Sequence, residues 1–198
     1  MKLLLLSLMM IFTAKTAVAA NQWAVVPGES SLTFEAVQAG TVFEGRFGRF
    51  DAEIRFSEQD LASSYVRAVV DITSIDAGAA ERNQALPTKP WFDAGAFPQA
   101  IFESSDFRRS AAGRYEAVGM LTIKGVSQPA TLPFSLKTDG ETAHMIGFLK
   151  VVRDDFNVGT GEWASDTWIG LDVQVSVDIV ARKRPDDQRN DGSDTSNQ

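Results

Sequence analysis

His144 is the single imidazole in a 198-residue chain that has no cysteine. Nucleophilic catalysis needs an activated Ser, Thr, Lys or Cys beside a base, so any imidazole-assisted scheme here must run through His144. Ser104 and Ser105 are the hydroxyls that an esterase-like arrangement would pair with it and with an aspartate. That chemistry requires a serine on a strained turn and an oxyanion hole. Both serines instead follow Ile101-Phe102-Glu103 in a plain strand pattern, and no Gly-x-Ser-x-Gly turn occurs. His144 alternates with Ile146 and Phe148 at a strand start, which suits a structural or exposed histidine. A zinc site needs several His or Cys ligands and cannot be assembled. The paired carboxylates are Asp51/Glu53, which flank Ala52 on one strand face, and Asp154/Asp155; solvated charge accounts for them. Gly119, Gly125, Gly159 and Gly161 form no phosphate-binding pattern leading into a helix. The reading is no catalytic residue, no metal site and no cofactor.

The elements that would carry these residues are strands. Residues 169–181 place Ile169, Leu171, Val173, Val175, Val177 and Ile179 at alternate positions, with Asp172, Gln174, Ser176 and Asp178 between them. A strand repeats every two side chains, so this makes one dry wall and one wet wall. The pattern recurs, giving eight strand candidates at 31–39, 42–56, 65–72, 100–107, 114–124, 128–137, 142–152 and 168–181, with a short lead-in at Gln22–Val26. Gly113, Lys124-Gly125 and Asp139-Gly140 are the turn signals between them. The phase switches inside 42–56: Phe43 and Phe47 are odd, Phe50, Ile54 and Phe56 even. A β-bulge at Gly48 would return both sets to one face. One stretch is not strand. Asp76 is positioned to cap a helix from about Gly78 to Leu86 that Pro87 ends, and Thr88 to Phe92 suggests a second turn of helix. This insert carries Trp91, Phe92 and Phe97, aromatics that could plug a barrel end or belong to the core. Eight antiparallel strands with short connections point to a closed barrel, which removes exposed edges. Its interior either fills with side chains or holds one small ligand.

Residues 1–20 read as a secretory signal, with Lys2, an apolar run from Leu3 to Phe12 and a small-residue cleavage site at Ala17-Val18-Ala19. That run is short of the roughly 20 apolar residues of a membrane span. The expected location is the periplasm. Loss of Lys2 and Lys15 would take the formal charge from -7 to -9, which argues against nucleic acid and tight binding to anionic headgroups. Residues 21–181 form one domain large enough for a core. Residues 182–198 read as a disordered polar tail, with Arg182-Lys183-Arg184 as a solvated strand end or a contact site.

A set of short motifs follows in order. Leu32-Thr33-Phe34 comes first, then Gly45-Arg46-Phe47, Ser74-Ile75, Trp91-Phe92-Asp93, Phe97-Pro98 and Phe102-Glu103-Ser104. Gly119 to Val126 and Arg153-Asp154-Asp155-Phe156 complete it. In order and spacing, from Trp23 to Ala181, this resembles the YceI-like family of bacterial periplasmic proteins. The resemblance implies an all-β fold, an eight-stranded antiparallel lipocalin-like barrel with a short helical insert. It also implies an elongated apolar lumen that takes a polyisoprenoid, an isoprenoid quinone or a similar long-chain lipid, for transport, storage or sequestration. Together with the dry strand faces it nominates Phe34, Phe43, Phe47 and Phe102 as lumen lining, along with Leu121, Ile123, Phe148 and Val175. Gln38, inward by phase from Ala36, is a candidate for the polar end or for a structural hydrogen bond; Arg46 is a candidate too, although its strand phase points it outward unless the bulge begins early; Trp91, Phe92 and Phe97 are candidates for the gate. The chain departs from the family at Val26, Glu29 and Gln38, where Asp and His residues are common. Gln38 and the run from Phe156 to Trp163 look like a branch in which the domain occurs fused to, or beside, b-type membrane cytochromes. A rival implication is therefore an accessory domain for a quinone-using membrane cytochrome, with Trp163 and Trp168 as contact candidates.

The expectation of binding without catalysis has a direct test. Purified protein should not hydrolyse a panel of acyl esters. Hydrolysis that His144→Ala abolishes without unfolding the barrel would reverse it.

Overall fold

The computed structural model describes residues 20–111 and 113–185. Residues 1–19 of the expected signal segment and residues 186–198 of the expected tail lie outside the described residues. Alternating sequence becomes strand almost throughout: β1 (Asn21–Val25), β2 (Ser31–Gln38), β3 (Thr41–Phe47), β4 (Phe50–Phe56), β5 (Tyr65–Asp71), β6 (Ile75–Asp76), β7 (Gln99–Ala111), β8 (Arg114–Ile123), β9 (Val126–Asp139), β10 (Thr142–Val152) and β11 (Asp172–Lys183). Among the described residues the one α-helix, α1, spans Ala80–Ala85. All pairings are antiparallel, and β1 bonds both β4 and β11, which closes the sheet on itself.

The eleven strands form eight staves, because three staves are each two strands with a bend. β1 and β2 both lie along β11, separated by the Pro27 turn. β4 pairs with β5 while β3 pairs with β6, so β3/β4 and β5/β6 are two further bent staves. The bend in β3/β4 falls at Gly48, whose N–H bonds the Ser74 carbonyl at 3.1 Å. It is a break in the strand rather than a bulge within one. Its effect is the expected one, since Phe43, Phe47, Phe50, Ile54 and Phe56 all face the same interior.

Several boundaries differ from expectation: β7 runs on to Ala111 rather than ending at 107, and residues 88–92 form turns rather than a second turn of helix. Asp76 does not cap α1. It sits in β6, where its carboxylate accepts from the Gly78 N–H at 3.1 Å and the Asn83 side chain at 3.1 Å. The residue at the helix N-cap, Ala79, has no side chain to cap with. β11 begins at Asp172, not Trp168, and runs on to Lys183. Arg182 and Lys183 stay in the strand because they pair with Ala24 and Trp23 of β1. The ladder outweighs the polar composition that made the tail appear to start there.

One end of the barrel carries a cluster of buried aromatics. Tyr115 is 0% exposed, its ring 5.4 Å from Phe56 edge-on and 5.5 Å from Phe134 in a stack. Such aromatic pairs add to the gain from burial itself. Its hydroxyl donates to the Glu58 carboxylate at 2.7 Å, and Thr138 donates to the other Glu58 oxygen at 3.2 Å. This ties the 57–64 connection across the end. Burial, then the bond to Glu58, pushes the Tyr115 phenol from 10.0 up to about 12. A raised phenol pKa means that the fold holds the neutral form. Stability from this site is therefore complete below pH 10.0 and is lost as pH rises through about 12. Urea unfolding across that window should show an alkaline loss that Tyr115→Phe removes, leaving Tyr65 as the one titrating phenol.

The lumen as candidate binding site

Inward side chains from every stave leave a cavity of about 520 Å³. Phe34, Phe43, Phe47, Phe102, Leu121, Ile123 and Val175 line it as expected, and so do Trp91 and Phe92 of the insert. Phe34 packs its ring 5.6 Å from Phe47 and 6.3 Å, edge-on, from Phe43. Gly45, opposite Phe34 across β2/β3, makes this possible, since a Cβ there would run into the Phe34 ring. Trp91 is buried and its ring centroid lies 5.7 Å from that of Trp163, which places Trp163 in the cap. Trp168 is 63% exposed.

Three expected positions are corrected. Phe148 is 55% exposed and lies on the outer face opposite Ser176. The inward residues of β10 are Ala143, Met145, Leu149 and Val151. The phase was readable from His144, which shares the face of Phe148 and meets Asp178 at 2.7 Å on the outer wall. Phe97 lies outside the lumen, its ring in the space that a side chain at Gly125 would occupy. Arg46 points out, its side chain 70% exposed and paired with Asp76 at 3.3 Å.

The polar end is built from Gln38 and a residue that sequence reasoning missed. Arg82 of α1 donates from Nη1 to Gln38 Oε1 at 2.9 Å and from Nε to the Ala77 carbonyl at 2.8 Å. Its guanidinium carbon sits 4.3 Å from the centre of the Phe43 ring, an arrangement in which cation and ring attract. Gln38 and Arg82 both line the cavity. A guanidinium carries five N–H donors, so Arg82 keeps donors for a ligand after these two bonds. Gln38 Oε1 is taken up by Arg82, which leaves the amide nitrogen for the lumen. The site therefore offers donors from Arg82 and Gln38, and the Glu81 carboxylate lines the same cavity.

The second arginine, Arg153, is 4% exposed. It donates to the carbonyls of Gly170, Val158, Gly159, Trp163, Ser165 and Ile169 at 2.7–3.1 Å. Burial lowers its pKa, and Asp154 partly offsets this. These bonds gather the 157–170 segment over the same end of the barrel, where Gly159 and Thr160 N–H groups also bond the Pro90 carbonyl at 2.9 Å. Nothing periodic marks Arg82 or Arg153 in the sequence; only the Arg153-Asp154-Asp155-Phe156 motif pointed near the second.

Ser104 is buried in β7 and donates to the Val118 carbonyl at 2.8 Å. β8 and β9 separate its strand from that of His144, so the two do not meet. Among the described residues, no three His, Asp or Glu side chains form a metal-holding group.

An antiparallel eight-stave barrel around an apolar lumen defines a lipocalin-like architecture. The sequence matches the YceI-like domain over residues 23–181, and the chain belongs to that family. A UPF0312 protein of Yersinia enterocolitica is 33% identical over 159 residues, covering 76% of this chain and 82% of its own. BcnA of Burkholderia cenocepacia superposes with a TM-score of 0.76 at 33% identity, over 79% of this chain and 98% of its own. A polyisoprenoid binding domain of Saccharophagus degradans shares the fold with a TM-score of 0.62 at 14% identity, over 83% of this chain and 99% of its own.

Arg153→Met should free the 157–170 segment. Its carbonyls then find water only by opening the cap. The expected loss is about 3 kcal/mol in urea unfolding, with amide exchange accelerated from Gly159 to Gly170 while β7 and β8 stay protected.

Proposed function

We propose that the lumen binds the tail of a long-chain amphiphile, a polyisoprenoid, isoprenoid quinone or similar lipid, in the periplasm, for its transport, storage or sequestration. The observation that carries this reading is the cavity of about 520 Å³ with apolar walls and a polar pair at one end. At about 25 cal/mol per Å² of apolar surface removed from water, a tail of that shape binds without further polar contacts. The Saccharophagus degradans domain with the same fold is a polyisoprenoid binding domain, which supports the same ligand class here. The leader-like residues 1–20 support the location. Gln38 and Arg82 would receive the acceptor oxygen of the headgroup.

Protein purified from its own periplasm should carry a lipid mass in native mass spectrometry. A clean apo mass that takes up no prenyl or acyl lipid overturns the reading. Trp168, exposed beside the polar end, favours the rival in which this rim docks on a quinone-using membrane cytochrome. Recovery with such a cytochrome and without lipid is the outcome that supports the rival. Gln38→Ala should weaken a headgroup-bearing ligand about tenfold, about 1.4 kcal/mol. Unchanged affinity with a lower melting temperature would make Gln38 purely structural.

A further inference from the structure

β9 and β10 pair over only part of their lengths. Their ladder runs from Thr142↔Asp139 to Gly147↔Phe134 and stops there. Beyond it, residues 126–133 of β9 continue along β8 alone, and residues 148–152 of β10 continue along β11 alone. Two unpaired strand edges therefore face each other across the barrel wall. Such edges invite another strand, but β9 carries Pro129 and Pro133 there, which have no N–H to offer one.

Between the edges lies a groove of about 490 Å³. Leu121, Leu149, Val151 and Phe156 line both this groove and the lumen. One layer of apolar side chains is thus all that separates inside from outside. The groove continues outward to the exposed ring of Phe148, and Gln128 spans it with a bond from Nε2 to the Asp155 carbonyl at 3.2 Å. Ala130, at the groove, stands opposite Gly119 in β8, so the wall carries little bulk there. Opening the barrel at a fully paired junction would break ladder hydrogen bonds. Opening it here needs rotamer changes at Leu149 and Phe156, which are fast compared with backbone rearrangement.

We infer that this seam is a side port: the apolar tail of the lumen's ligand passes out between β9 and β10 and lies in the groove against Phe148. The inference rests on the reading of the lumen as a lipid site. It makes the protein tolerant of tail length, because a chain too long for the lumen continues into the groove instead of being excluded. The lining shared with the lumen, together with Phe148, suits the groove to an apolar tail, although Gln128, Lys150 and Gln174 also line it. Its open face keeps the polar edge groups of the two strands in contact with water, which avoids the cost of burying them unpaired.

The chain has no cysteine, so one introduced thiol reports on one place. Ala130→Cys puts it in the seam, and Ser135→Cys puts a control on the exposed, fully paired part of β9. Maleimide alkylation is followed with no lipid, with farnesol, and with its much longer homologue solanesol, while native mass spectrometry records binding. Solanesol at about ten times its Kd should slow alkylation of the Ala130→Cys protein about tenfold. Farnesol, short enough for the lumen, should leave that rate unchanged, and the Ser135→Cys rate should respond to neither. Solanesol bound with an unchanged seam rate overturns the port and leaves the lumen reading standing; equal protection by both alcohols also overturns it. Protection without lipid that grows with protein concentration would mean that a second copy covers the seam, and overturns it too. If neither alcohol binds, the lumen reading falls and the port with it; farnesol bound while solanesol is refused overturns the port alone. Should Ala130→Cys not fold, Phe148→Cys carries the same comparison from an exposed position.

Discussion

The ladder along β11 is the constraint on which the barrel depends. Its 12 residues bond β10 on one side and, on the other, both halves of the first bent stave, β2 by residues 174–178 and β1 by residues 181–183. Pairing to β1 leaves no free edge at that junction and fixes which side chains point in. A register slip of one residue would turn every apolar residue of β11 outward. The Pro27 turn exists within this constraint, because it lets one stave change partners along β11 without losing the wall. The strand cannot end at Ala181 for the same reason: Arg182 and Lys183 complete the pairing that shuts the barrel.

Closure alone leaves open whether the interior is full or hollow, and the distribution of aromatics decides it. Trp23, Phe56, Tyr115 and Phe134 crowd one end, and Trp91, Phe156, Phe92 and Trp163 gather at the other. Between them the inward positions hold mostly smaller or aliphatic side chains, including Ala52, Ala68, Ala100, Val70, Val175 and Val177. These inward side chains leave the interior hollow along the barrel instead of filling it. Such a barrel gives up part of the burial gain of a filled one. Edge-to-face packing at the closed end and the tied cap at the other compensate.

Much of this was legible. Alternation located the staves, and the phase switch at Gly48 marked the bend in β3/β4. Gln38 was placed inward by its spacing from Ala36. Phe148 was misread because its apolar character was given more weight than the phase set by His144 two turns of the pleat away. Phe97 was misread because an aromatic next to a plug is not part of it when a glycine, here Gly125, offers a nearer seat. Arg82 and Arg153 were not legible at all. One lies on a helix too short to show a period, the other opens an irregular segment, and in neither does local sequence say which carbonyls the guanidinium will meet.

Those two arginines line one cavity and do different work, and their hydrogen bonds show why. Arg153 spends its donors on backbone carbonyls and, among the described residues, forms no ion pair with a carboxylate, so its charge is spread over backbone dipoles. A guanidinium satisfied in this way has no capacity left for a ligand, but it fixes the segment that closes the end. Arg82 is only half-buried and holds two protein acceptors, one of them Gln38. Among the described residues no carboxylate forms an ion pair with it. Its remaining donors and its charge face a space whose walls are mostly apolar, with Gln38 and Glu81 also lining it. In such surroundings a donor is worth most when an acceptor arrives, and costs most when none does. The lumen thus keeps its groups apart: apolar walls along its length, and at one end a guanidinium with donors still free.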